Sequence, residues 1–150
     1  MNQTARPQPL ARDQFKIFKS ISTRWMDNDC YGHVNNVVYY SWFDTAVNAY
    51  LIEQGVLDRS GGTTIGLVVS SSCNYFEPLS YPEPVEAGIA VTRLGRSSVE
   101  YRIGIFRQGS SHSAAWGNFV HVYVSHSTRK PVEVLPAPFK RSLEKIYVPL

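Results

Sequence analysis

Asp27 and Asp29 stand one residue apart, and Gly32, His33, Asn35 and Asn36 follow in "DNDCYGHVNN". An apolar run, "VVYYSWFDTAVNAYLIEQG", comes directly after them. Carboxylates gathered just before an apolar segment are open to three chemistries: metal ligation, helix capping, or acyl transfer. Metal is the easiest to test. Asp27, Asp29 and Gly32 fit the first, third and sixth places of a calcium loop. Tyr31 and Val38 then occupy the fifth and twelfth, where an oxygen ligand and a bidentate Glu are required. Zinc fares no better. His121 and His126 lie five apart in a strand-like stretch and point to opposite faces, and His33 and His112 have no ligand at suitable spacing. Each histidine is expected to be at the surface or structurally satisfied, and no metal is expected.

Capping accounts for Gly32, Asn35 and Asn36, since Gly and Asn before a helix satisfy backbone groups with no further chemistry. It accounts less well for the acids, which share a face if a strand runs through them and then repel each other. One of them is expected to pair with Arg24. Acyl transfer uses what remains. A carboxylate beside a helix N-terminus lies near unpaired backbone N–H groups. Those donors polarise a carbonyl and stabilise the oxyanion, while the carboxylate attacks or activates water. No Gly-x-Ser-x-Gly elbow offers a serine alternative.

The elements that must hold these residues follow from periodicity. Phe15–Trp25 alternates imperfectly and is rich in β-branched and aromatic residues, as in a strand. Val37–Gln54 predicts a helix roughly 27 Å long, with Asn35 or Asn36 as N-cap and Gly55 at C′. Its polar members Ser41, Asp44, Thr45 and Asn48 form one narrow stripe, so the helix is expected to be largely enclosed by the fold. After the Gly-rich link Arg59–Gly66, the stretches 67–76, 85–94, 98–106 and 114–126 read as strands joined mostly by short Gly/Ser turns. "APFKRSLEKI" reads as a short C-terminal helix. The order predicts an α+β fold in which an antiparallel five-stranded sheet wraps one long central helix. The open edges of such a sheet invite pairing, so a homo-oligomer is expected. Residues 1–13, polar with two prolines, are expected to form a mobile tail, and 14–150 a single domain.

The stretch "RWMDNDCYGHVNNVVYYSWFDTAVNAYL" resembles the hotdog-fold acyl-CoA thioesterases of the 4-hydroxybenzoyl-CoA thioesterase type. Asp27, Asp29, Gly32, His33, Val34, Asn35 and Asn36 carry that family's pattern. "NYFEPLSYPEPVEAGIAVTRLGRSSVEYRIGIF" extends the likeness, which covers roughly residues 14–146. The resemblance implies that Asp29 is the catalytic carboxylate, as nucleophile or general base, and that the Asn36 N–H polarises the thioester carbonyl. It gives His33 and Asn35 the positioning of the loop or a water. It sets Arg96, Ser97 and Ser98 against the phosphates of coenzyme A, with Arg93, Arg129 and Lys130 either assisting or merely solvated. Asp44 is a second carboxylate, expected either to line the acyl pocket or to hydrogen-bond the surrounding backbone. Cys30 and Tyr31 predict a bulkier loop than usual, and "YPEP" a different turn.

The implied activity is hydrolysis of a fatty or aromatic acyl-CoA to carboxylate and free CoA, without a cofactor, by a dimer or dimer of dimers. Two rivals stay open: a thioesterase acting on acyl-carrier protein, suggested by the basic excess near residues 129–145, and a non-catalytic acyl-CoA-binding module. Composition agrees with a globular protein, at 43% hydrophobic and 18% charged residues. A net charge of +3 is too small to argue for nucleic acid. Two cysteines make no disulfide framework, and neither a secretory leader nor a membrane-spanning run is apparent. A cytoplasmic protein is the expectation.

Overall fold

The computed structural model describes residues 5–57 and 62–149, so the start of the Gly-rich link lies outside the described residues. Strands β1 (Ile17–Ile21), β2 (Thr64–Tyr75), β3 (Val85–Leu94), β4 (Ser98–Arg107) and β5 (Ala115–Ser125) form one antiparallel sheet in the order β1-β3-β4-β5-β2. Helix α1 (Asn36–Glu53) lies in its concave face, and α2 (Ala137–Glu144) follows β5. This is the hotdog arrangement.

Alternation decides which side chains meet. Val85, Ala87, Ile89 and Val91 of β3, with Val99, Tyr101, Ile103 and Ile105 of β4, point inward and are buried. They pack against Tyr39, Phe43, Ala46, Val47, Tyr50 and Leu51 of α1. α2 adds Phe139 and Leu143 to the same core, and the Tyr50 hydroxyl donates to the Ser142 carbonyl. Fully burying each Val, Ile, Leu or Phe side chain among them stabilises the fold by about 1.5–3 kcal/mol relative to leaving it exposed. Gly55, at φ 73°, ends α1 as expected of a C′ residue.

The outer face of the sheet carries a smaller core of Phe15, Ala90 and Phe106, with Leu10, Phe18 and Val148 against it. The N-terminal segment is tied down here. Leu10 exchanges hydrogen bonds with Ser113, the Trp116 indole donates to the Gln8 carbonyl, and Arg12 lies 4.8 Å from the Phe106 ring. The segment read as a tail thus makes fixed contacts from Gln8 onward, and residues 1–4 lie outside the described residues.

Two expectations change. The first strand stops at Ile21, and Trp25–Asp27 form a 3₁₀ turn closed by Asp27 on Arg24, so the two acids share no strand face. The polar stripe of α1 is open instead of enclosed. Ser41, Asp44 and Thr45 are exposed, together with Val37 and Ile52 near the helix ends. Edge strand β2 is exposed alongside, and it carries no charged residue over 12 residues.

Candidate active site

Asp27 is fully buried, and its carboxylate accepts from the Arg24 backbone N–H and from both Nε and Nη2 of the Arg24 guanidinium. It is therefore the structural member of the pair, as expected of one acid. Beyond it the chain makes a small closed loop. Asn35 N–H donates to the Asp27 carbonyl and Asp29 N–H to the His33 carbonyl, at 2.8 Å each. Gly32 sits at φ 81° in the turn, a conformation that glycine adopts without strain. Cys30 and Tyr31 add bulk outward only, since both side chains are exposed.

The loop fixes the orientation of Asp29. Its Oδ1 accepts from the N–H groups of Tyr31, at 2.8 Å, and His33, at 3.4 Å. Its Oδ2 has no partner among the described residues. The helix start shows a similar division. Asn35 is the N-cap, its Oδ1 accepting from Val37 N–H at 3.1 Å, and its carbonyl takes Val38 N–H. The N–H of Asn36, first residue of α1, has no partner among the described residues. Asp29, His33 and Asn36 line one open cavity of about 390 Å³.

The apolar wall of that cavity comes from Val34 of the motif and from residues the sequence did not single out: Tyr39, Tyr75, Phe76 and Pro78. Tyr39 and Tyr75 meet edge to face with centroids 5.0 Å apart, and the Tyr75 hydroxyl donates to the Asn36 carbonyl at 3.2 Å. Burial pushes the Tyr39 phenol up to about 12 and the Cys73 thiol beside it up to about 11. Burial, then Cys73, also raises Tyr75. All three stay protonated at neutral pH, so the wall is uncharged and Cys73 is no thiolate nucleophile. The signal that could have found these residues was the aromatic end of β2, two positions beyond Cys73.

The substrate-binding candidates lie elsewhere. Arg96 and Ser97 occupy the β3–β4 turn and Ser98 opens β4, whereas Arg107, at the other end of β4, reaches the segment beside the Asp29 loop. Ten residues of strand separate the two ends, roughly 30 Å. Asp44 is exposed, stands apart from the residues lining the Asp29 cavity, and has no hydrogen-bond partner among the described residues. His121 also departs from a satisfied role: it is buried, its Nδ1 is 3.4 Å from the Tyr123 hydroxyl, and its Nε2 has no partner among the described residues. No cluster of metal-ligating side chains occurs among the described residues.

A carboxylate with one oxygen fixed, an unpaired helix N–H and a neutral aromatic wall form a set suited to attack on an acyl carbonyl. The sequence profile described as "Thioesterase superfamily" matches residues 31–114, which take in the second half of the loop, α1 and three of the strands, with Asp29 just ahead of the matched stretch. The chain belongs to the thioesterase superfamily. This thioesterase is a thioester hydrolase by that membership. It is similar to the PA5185 protein of Pseudomonas aeruginosa, at 51% identity and TM-score 0.90, over 93% of this chain and 97% of that one. Slr0204 of Synechocystis, a 1,4-dihydroxy-2-naphthoyl-CoA thioesterase, shares the fold at 18% identity and TM-score 0.76, over 84% and 93% of the two chains. YsmA of Bacillus subtilis is 24% identical over 88 residues, a match spanning 59% of this chain and 59% of that protein's length. No described helix is long and apolar enough to cross a membrane.

Proposed function

We propose that this thioesterase hydrolyses acyl-CoA, with Asp29 as the reacting carboxylate and the N–H of Asn36 polarising the thioester carbonyl. One observation carries the reading: Asp29, its Oδ1 held, lines the same cavity as Asn36, and among the described residues neither Asp29 Oδ2 nor the Asn36 N–H has a partner. As nucleophile, Oδ2 attacks the carbonyl carbon, CoA thiolate leaves, and water cleaves the mixed anhydride. As general base, Asp29 takes a proton from water, hydroxide attacks, and the carboxylic acid returns the proton to the departing thiolate. In either route negative charge grows on the carbonyl oxygen, where the Asn36 N–H and the positive end of α1 stabilise it. His33 and Asn35 hold the loop and the helix start through their backbone and cap bonds.

The acyl group fits the wall of Val34, Tyr39, Tyr75 and Phe76, which suits an aromatic or short fatty chain. The name of Slr0204 supports an aromatic substrate class. Arg96 and Ser97, roughly 30 Å from the Asp29 end, serve the CoA phosphates only if a second copy brings its own turn alongside. Two-fold pairing of the open β2 edges is antiparallel and has that effect: it sets the β3–β4 turn of the partner beside the Asp29 end. A homodimer is therefore part of the proposal, and a cytoplasmic setting, where acyl-CoA is made and used, goes with it. The test is thiol release from short, long and aromatic acyl-CoAs by the wild type and by Asp29→Asn. Loss of turnover by about 10²–10⁴-fold with substrate still bound is expected; an Asp29→Asn enzyme as fast as wild type rules the assignment out.

A further inference from the structure

Between Asn28 and Val34 the Asp29 loop buries only Val34 in the core, so neighbouring residues must help to fix its position. The segment Glu77–Glu83 does this. Val34 N–H donates to the Leu79 carbonyl at 2.7 Å, the Ser80 hydroxyl to the Gly32 carbonyl at 2.8 Å, and the Tyr81 N–H to Asn28 Oδ1 at 3.0 Å. Leu79 itself is fully buried in the main core. The segment is in turn held by Arg107 at the end of β4. Its guanidinium reaches Glu83 at 2.9 Å, Glu77 at 3.0 Å and the Pro78 carbonyl at 3.0 Å. Thr23 adds a bond to the Glu83 carbonyl at 2.9 Å. A continuous support thus runs from the sheet, through Arg107 and residues 77–83, to the two sides of the loop that carries Asp29.

Among the described residues, two of the hydrogen bonds between this segment and the loop are made by side chains. Asn28 precedes Asp29 directly, and Ser80 grips the carbonyl of Gly32, between the Tyr31 and His33 N–H groups that hold Oδ1. We propose that Asn28 and Ser80 are positioning residues of this thioesterase, setting where the Asp29 carboxylate stands relative to the Asn36 N–H. The inference rests on the reading of Asp29 given above. It assigns a purpose to the Pro-flanked segment that the sequence offered only as a turn of unusual shape.

The two residues are half-buried, and each substitution removes a single bond, so the fold is expected to be retained. Asn28→Ala and Ser80→Ala are expected to lower kcat by roughly 10–100-fold, the scale of a misplacement of about 1 Å. KM and thermal midpoint are expected to stay near wild type, measured with the panel acyl-CoA of highest kcat/KM. Ser80→Thr and Asn28→Asp, which keep the hydroxyl and the acceptor oxygen, are expected to restore most of the rate. In an Asp29→Asn background neither alanine should lower the residual rate further, because both act through the carboxylate. Alanine variants with unchanged kcat overturn the proposal, as do alanine variants slowed equally in the Asp29→Asn background. An alanine variant that fails to fold leaves its conservative partner to decide: a Ser80→Thr or Asn28→Asp enzyme as slow as Asp29→Asn also overturns it. If Asp29→Asn turns over at the wild-type rate, the reading of Asp29 falls instead.

Discussion

Asn35 and Asn36 are adjacent and chemically identical, yet the fold gives them different work. Asn35 has extended backbone, with ψ at 138°, and its side chain caps the helix. Asn36 contributes its backbone N–H, and its own side chain is exposed. Asn35→Ala is expected to cost about 1 kcal/mol, read as a lower urea midpoint. Asn36→Pro is the sharper probe. Proline is tolerated at the first helical position, and the extended Asn35 before it is already in the conformation a following proline requires. The helix should persist while kcat falls by about 10²–10³-fold, the usual effect of losing one oxyanion donor; circular dichroism and thiol release on the same sample check both. The sequence left the cap open between these two residues because both offer the same side chain. Only the dihedral angles at the helix start tell them apart.

Among the elements, α1 and the inward faces of β3 and β4 were legible because buried side chains repeat at the helical and strand periods. The 3₁₀ turn at Trp25–Asp27 was not, since Ser22, Thr23 and Trp25 continue a strand-like pattern and the bonds from Arg24 to Asp27 override it. Nor was the insertion of β3 between β1 and β4, a non-local pairing that no turn residue announces. Close strand contact creates one sharp dependency. A Cβ on Gly117 of β5 would lie 1.8 Å from the Ser72 carbonyl oxygen of β2, so Gly117→Ala must push two paired backbones apart. A loss of about 2–4 kcal/mol in denaturant unfolding is expected. His121, on the same strand, ties stability to pH. Burial drives its imidazole down to about 4, against the opposing pull of Asp44, so the unfolded chain binds the extra proton first. Stability is full above about pH 6.5 and declines as the pH falls toward 4, by up to about 3 kcal/mol. His121→Phe should flatten urea midpoints across that window.

At the scale of the whole molecule, the open stripe of α1 and the uncharged edge of β2 are the surfaces a second copy would cover. Val68, half-exposed on that edge, is the place to test it. Val68→Lys is expected to shift sedimentation toward the monomer and to lower kcat/KM at least tenfold, because a lone chain keeps Asp29 but lacks a nearby Arg96. The proposed pairing also makes the two ends of the sheet separable in mixtures. Asp29→Asn and Arg96→Ala chains, each impaired alone, should regain activity when unfolded and refolded together, since half of the sites in each mixed dimer are then intact.

That separation along β4 would divide the alleles of this thioesterase into two groups. Lesions near Asp29 and lesions near the β3–β4 turn would complement one another in a cell that carries both. Two lesions at the same end would not. An Asp29→Asn chain produced in excess would still supply working β3–β4 turns to normal partners, so each mixed dimer would keep one intact site instead of none. The length of one strand would then decide which losses a cell can share between two copies.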